Sequence, residues 1–191
     1  IYFGKRFVNG DITELRIGDD IIERVESYKI LGVLISADLS WSHHVAFIVT
    51  KACRRLFFVY QLLRPGVDIE DIVSVYCSLI RSVLEYNCPV WHCGLTQAQS
   101  ADIEAVQKRV MRILFPHLCY DDALSLAGLE KLSTRREAQV RSVFADIRCK
   151  SNVLNHLLVE RPTDERIATI RDAYPYVLPI FKTKRALKSL I

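Results

Sequence analysis

The sequence predicts an α+β fold that is mostly α: a small antiparallel β region, then a helical bundle, then a further helical region. Short β-branched runs broken by Gly18-Asp19-Asp20 occupy residues 12–36. Around Asp38–Ser42 the apolar spacing changes from a strand period to a helical one. Beyond that point helix stops (Arg64-Pro65-Gly66, Cys88-Pro89) and helix starts (Asp68, Thr96) recur. With 191 residues, 50% hydrophobic and 25% charged, the chain has the make-up of one folded domain, or one and a half.

The first strands are read at Glu14–Ile17, Ile21–Val25 and Tyr28–Ile35. So few strands struggle to bury a face alone, so the region is expected to be the edge of a larger sheet, with the chain starting mid-domain. From Trp41, the residues Val45, Ile48, Val49, Ala52, Leu56, Val59 and Leu63 fall on one helical face, predicting five to six turns that end at Arg64-Pro65-Gly66. On that helix Arg54 projects away from the stripe and Lys51 and Arg55 share a flank.

A second helix runs from an Asp68 cap through Ile72, Tyr76, Ile80 and Leu84 to a stop at Cys88-Pro89. A third is capped by Thr96, with core positions Ile103, Val106, Val110, Ile113 and Leu114. On another of its faces Lys108 and Arg112 stack one turn apart beside Arg109. A short helix at Asp122–Ala127, a longer one from Thr134 to about Lys150, and a loosely packed basic tail complete the reading. The divisions are 1–40, 41–118, 119–151 and 152–191.

Net charge is +4, unevenly spread: residues 1–40 carry five basic and seven acidic side chains, and the rest 21 basic and 15 acidic. That asymmetry fits a polyanionic partner, or a solvated, mildly basic surface. The opening Ile1-Tyr2-Phe3-Gly4-Lys5-Arg6 reads as a cut edge, not a signal peptide. No run approaches the roughly 18 apolar residues of a membrane span, so no membrane partner is expected. The six cysteines (Cys53, Cys77, Cys88, Cys93, Cys119, Cys149) have no paired short spacing and suit buried thiols in a reducing, intracellular compartment better than disulfides or zinc.

Particular strings carry more than composition. Tyr28-Lys29-Ile30-Leu31-Gly32-Val33, then Asp38-Leu39-Ser40-Trp41-Ser42-x-His44, resembles the segment after the polymerase palm in LINE-type (non-LTR) retrotransposon reverse transcriptases. Tyr76–Tyr86, Pro89-Val90-Trp91, Ile103–Arg109, Arg135-Arg136 and Thr183–Ser189 are similar to later blocks of that family, in order, along nearly the whole chain. Ile30 stands where the family usually has a second aromatic, and Leu190 where it usually has Phe.

The resemblance implies a C-terminal fragment: a primer-grip remnant at 1–40 and a thumb-like bundle at 41–118 that holds an RNA–DNA duplex or other nucleic acid. Its phosphate-facing candidates are Lys51, Arg54, Arg55, Lys108, Arg109 and Arg112, with the tail residues Lys182, Lys184 and Arg185. Gly32 would let a backbone come close, or would mark a bulge; Lys29 would meet a phosphate or face solvent. Trp41, Tyr86 and Trp91 read as core or hinge packing.

The partners implied are nucleic acid and the parent's upstream palm and fingers; the nucleus is expected for the parent, while the fragment's own compartment is left open beyond intracellular. Magnesium would belong to the parent, and no cofactor to the fragment. Tyr120-Asp121-Asp122 is one residue short of the Tyr-x-Asp-Asp signature and falls after the Leu31-Gly32 string, not before it, so it reads as a helix start. The fragment is expected to bind without polymerising. A relic or helical interaction module without nucleic-acid binding is the competing reading, distinguished by whether the cations cluster or scatter.

Overall fold

The computed structural model describes residues 16–21, 23 and 25–158. The tail cations Lys182, Lys184 and Arg185 and the strand residues before Arg16 lie outside the described residues. The α+β, mostly α expectation holds: two small antiparallel hairpins precede a helical region. The chain packs as two compact units. One compact unit joins the residues up to Asn87 with Leu95–Leu132, and the second joins Cys88–Gly94 with the residues from Ser133 on.

In the first unit, β1 (Arg16–Ile17) pairs with β2 (Asp20–Ile21) through a turn in which Gly18 takes φ +63°. All four strand residues are exposed, and of the Ile21–Val25 run the described residues Glu23 and Val25 lie outside β2. β3 (Ser27–Ile30) and β4 (Val33–Ser36) form the second hairpin, with Ile30 opposite Val33. The Tyr28–Ile35 run is therefore not one strand. It reverses at Leu31-Gly32, whose φ values of +46° and +85° are the pair a tight two-residue hairpin turn requires.

Helix α1 (Ser42–Leu63) packs its predicted stripe inward, burying Val45, Ile48, Ala52, Leu56 and Val59. Each buried Val, Ile or Leu among them contributes about 1.5–3 kcal/mol relative to exposure. The first turn is tied to β4 by two histidines. The Leu34 N–H donates to His44 Nδ1 at 3.3 Å, and His43 Nδ1 lies 3.2 Å from Ser36 Oγ. His44 is fully buried, and desolvation pushes its pKa down to about 4.

The second helical segment is continuous but not uniform: α2 (Ile69–Val75) widens into a π turn at Tyr76–Arg81 and resumes as α3 (Ser82–Glu85). A π turn displaces carbonyls from their usual partners. Side chains donate to several of them here: Ser78 Oγ to the Val75 carbonyl at 3.1 Å, Ser82 Oγ to that of Ser78, and Arg55 to that of Leu79. Asp68 stands at the N-cap position without a side-chain cap bond. The segment stops at Asn87, φ +53°, and Pro89 opens the next short helix instead of ending this one, as suits a residue whose missing N–H is no loss in a first turn.

Helix α5 (Gln97–Leu114) follows α4 (Cys88–Trp91) and packs against α1. It begins on the predicted Thr96 cap, completed as a box by Gln99: Gln99 N–H to Thr96 Oγ1 at 3.2 Å and Thr96 N–H to Gln99 Oε1 at 2.9 Å. Then come α6 (Tyr120–Leu126) and α7 (Leu132–Arg148).

In the second unit Trp91 and Arg136 are fully buried. Arg136 Nε donates to His92 Nδ1 at 3.4 Å, and the Cys88 thiol to Gln139 Oε1 at 3.1 Å. Burial, then the Arg136 charge, hold the His92 pKa below the usual value.

Candidate nucleic-acid interface

The helical period that buries one side of α1 leaves Thr50, Lys51, Arg54, Phe57 and Phe58 exposed on the other, with Phe47 half-buried among them. No carboxylate occurs anywhere in the 22 residues of α1. Lys51 and Arg54 are exposed. Lys29, also exposed, reaches over from β3, so that two cations approach one ring: Lys29 Nζ lies 5.0 Å and Lys51 Nζ 5.9 Å from the centre of Phe47. A phenyl face tolerates such a pair because its negative quadrupole offsets part of their repulsion. An anionic group from outside would offset more.

Arg55 departs from this face. It is half-buried, and its guanidinium donates to the Leu79 carbonyl of the π turn, so part of its donor set is spent inside the fold. The α5 cations Lys108, Arg109 and Arg112 are exposed as well. Lys108 Nζ sits 5.3 Å over the Tyr120 ring, Arg112 stands in the last turn, and Arg109 lines a groove of about 470 Å³ with Val45, Val49, Cys53 and Asp102. Cations in the last turns of a helix also complement its dipole, a role independent of any ligand.

Gly32 has a reason within the fold. A Cβ built there would lie 2.9 Å from Tyr86 Cε1, and the Tyr86 hydroxyl donates to the Leu31 carbonyl at 3.2 Å. The glycine thus admits Tyr86 to the turn, which makes Tyr86 hinge packing despite its 54% exposure. Phe47, Phe57 and Phe58 are marked in the sequence only by an offset of three or four residues from Lys51 and Arg54.

The Tyr120-Asp121-Asp122 string is occupied with structure. Asp121 pairs with Lys131 at 2.9 Å, and Asp122 Oδ2 accepts from the Cys119 thiol at 3.0 Å, with Cys119 at the N-cap where Asp was expected to cap. The Tyr120 hydroxyl donates to Glu104 Oε1 at 2.5 Å and accepts from Gln107 Nε2 at 2.9 Å. Gln107 Oε1 accepts from the Tyr76 hydroxyl at 2.5 Å, and Gln107 Nε2 also donates to the Glu130 carbonyl at 3.0 Å. Burial raises the pKa of both phenols above the ordinary tyrosine value. Among the described residues no three His, Cys, Asp or Glu side chains are grouped as a metal centre requires, and no described helix is long and apolar enough to cross a membrane.

Comparison with known proteins gives one relevant likeness. Over 89 residues, 45% of the chain, it is 29% identical to the "Probable RNA-directed DNA polymerase from transposon X-element" of Drosophila melanogaster. The match spans 10% of that protein's length. No family model matches the chain, and no solved structure matches it. The likeness supports kinship of the matched stretch with a retrotransposon RNA-directed DNA polymerase.

Proposed function

We propose that the chain is the primer-grip, thumb and C-terminal part of a LINE-type retrotransposon reverse transcriptase, and that it grips nucleic acid, an RNA–DNA template–primer duplex above all, without catalysing polymerisation. The observation that carries this reading is the convergence of Lys29 and Lys51 on Phe47, on an acid-free helix face that continues through Arg54. Cations held on a rigid helix and hairpin meet phosphates without reading bases. The kinship with a retrotransposon polymerase supplies the class of polyanion.

Lys29, Lys51 and Arg54 form the centre of the proposed grip. Lys108, Arg109 and Arg112 are secondary contacts, and Arg55 acts mainly on the π turn. The parent's palm and fingers would supply the magnesium-binding carboxylates and are the protein partner; the nucleus is the proposed compartment. The competing reading, a helical module without nucleic-acid binding, draws on the engagement of Arg55 and Lys108 within the fold.

Titration of the purified chain against a labelled RNA–DNA hybrid at several salt concentrations decides between them. Phosphate binding gives a log–log slope near −0.9 per contact on a B-form duplex, with a similar order here. The Lys29→Ala/Lys51→Ala/Arg54→Ala variant is expected to lose affinity about equally across sequences and to flatten the slope by about two to three. Salt-independent binding, or an unaltered slope in the variant, contradicts the proposal.

A further inference from the structure

The α1 face carries more than phosphate binding requires. Phe57 is 58% exposed and Phe58 48% exposed, their ring centres 6.1 Å apart at 66°. Phe58 follows Arg54 by one turn and Lys51 by two, and Phe57 follows Arg54 by three residues, so rings and cations share one stripe. A duplex offers a protein its backbone and groove edges, while its base faces are stacked on one another. Exposed phenyl rings gain little from such a surface. Unpaired bases present open faces, and aromatic rings beside a cationic track are the combination that holds single strands without sequence preference.

We propose that the exposed face of α1 takes unpaired nucleotides, with Phe57 and Phe58 as stacking surfaces and Lys51 and Arg54 on the adjoining phosphates. The charge of the track favours a polyanionic strand over an apolar protein segment as the occupant. The inference rests on the nucleic-acid reading above and narrows it from duplex alone to duplex with a single-stranded stretch.

Fluorescence anisotropy of the full chain with labelled oligodeoxythymidylate and oligouridylate, and with the RNA–DNA hybrid in parallel, tests it. Phe57→Ala/Phe58→Ala is expected to weaken single-strand binding about tenfold or more, since stacking contributes on the order of 1–3 kcal/mol per base, with salt slope and hybrid affinity unchanged. Phe57→Trp is expected to keep binding and to show quenched emission at saturation. Single-strand affinity unchanged by the double variant, with hybrid binding intact, overturns the stacking proposal and leaves the duplex reading standing. Equal weakening on single strand and hybrid overturns the preference for unpaired bases. Binding of neither nucleic acid overturns both readings.

Discussion

Aromatic and polar side chains are handled in opposite ways on the two long helices of the first unit. On α5, Glu104 and Gln107 turn inward and join Tyr76 and Tyr120 in a network whose hydroxyls and amide are all engaged. On α1, phenyl rings and cations of the same stripe turn outward. A satisfied buried ring belongs to stability, whereas exposed rings beside cations leave a surface that a ligand can cover. The difference separates residues whose loss should unfold the chain from residues whose loss should leave it folded and unable to bind.

The strongest way to break that separation is at Gln107. Gln107→Ala strands the Tyr76 hydroxyl and the Glu130 carbonyl and removes one of the two partners of the Tyr120 hydroxyl, and should lower stability by about 2–4 kcal/mol in urea titration. Loss of less than about 1 kcal/mol would mean the network relaxes freely and is not a structural counterpart to α1.

Next in size is the pH response of His44. Its pKa is depressed to about 4 in the fold against about 6.5 when unfolded, so the fold favours the neutral ring. That contribution is complete above pH 6.5 and is lost as pH falls from 6.5 towards 4, on the order of 2 kcal/mol. His44→Gln should flatten this part of the stability–pH curve; an unchanged curve would place the acid sensitivity elsewhere.

Arg54 and Arg55, adjacent in sequence, sharpen the contrast. Arg55→Ala should destabilise by about 1 kcal/mol through loss of its bond to the Leu79 carbonyl. Arg54→Ala should stay within about 0.5 kcal/mol of the parent while weakening hybrid binding. Exchange of these two outcomes would reverse the assignment of inward and outward faces. Smallest is the hairpin turn: Leu31 is 85% exposed at φ +46°, so Leu31→Asn should stabilise by about 0.5–1 kcal/mol, read as a rise in melting temperature.

The helices of the first unit were legible because apolar spacing and end signals agreed: the α1 stripe, the Arg64-Pro65-Gly66 stop and the Thr96 box stand as read. The π turn was not legible, since Tyr76–Arg81 keeps the same apolar residues inward with one extra residue per turn. Nor was the reversal at Leu31-Gly32, because leucine rarely takes positive φ and the run looks extended. For the candidate site, sequence identified Lys29, Lys51 and Arg54 but not what unites them. Phe47 looked like one more apolar residue until β3 was folded beside α1. Arg55 stood beside Arg54 among the phosphate-facing candidates because the Leu79 carbonyl that engages it lies in a distant stretch of sequence.

Which surface of the chain meets nucleic acid is the central question. Backbone amide spectra of the isotopically labelled chain, recorded as an RNA–DNA hybrid with a single-stranded overhang is added, report that surface directly. Shifts concentrated at Lys29, Phe47, Lys51, Arg54, Phe57 and Phe58, with Glu104, Gln107 and Tyr120 unmoved, are the predicted result. Shifts centred on the second unit, or none at saturating hybrid in low salt, would contradict it.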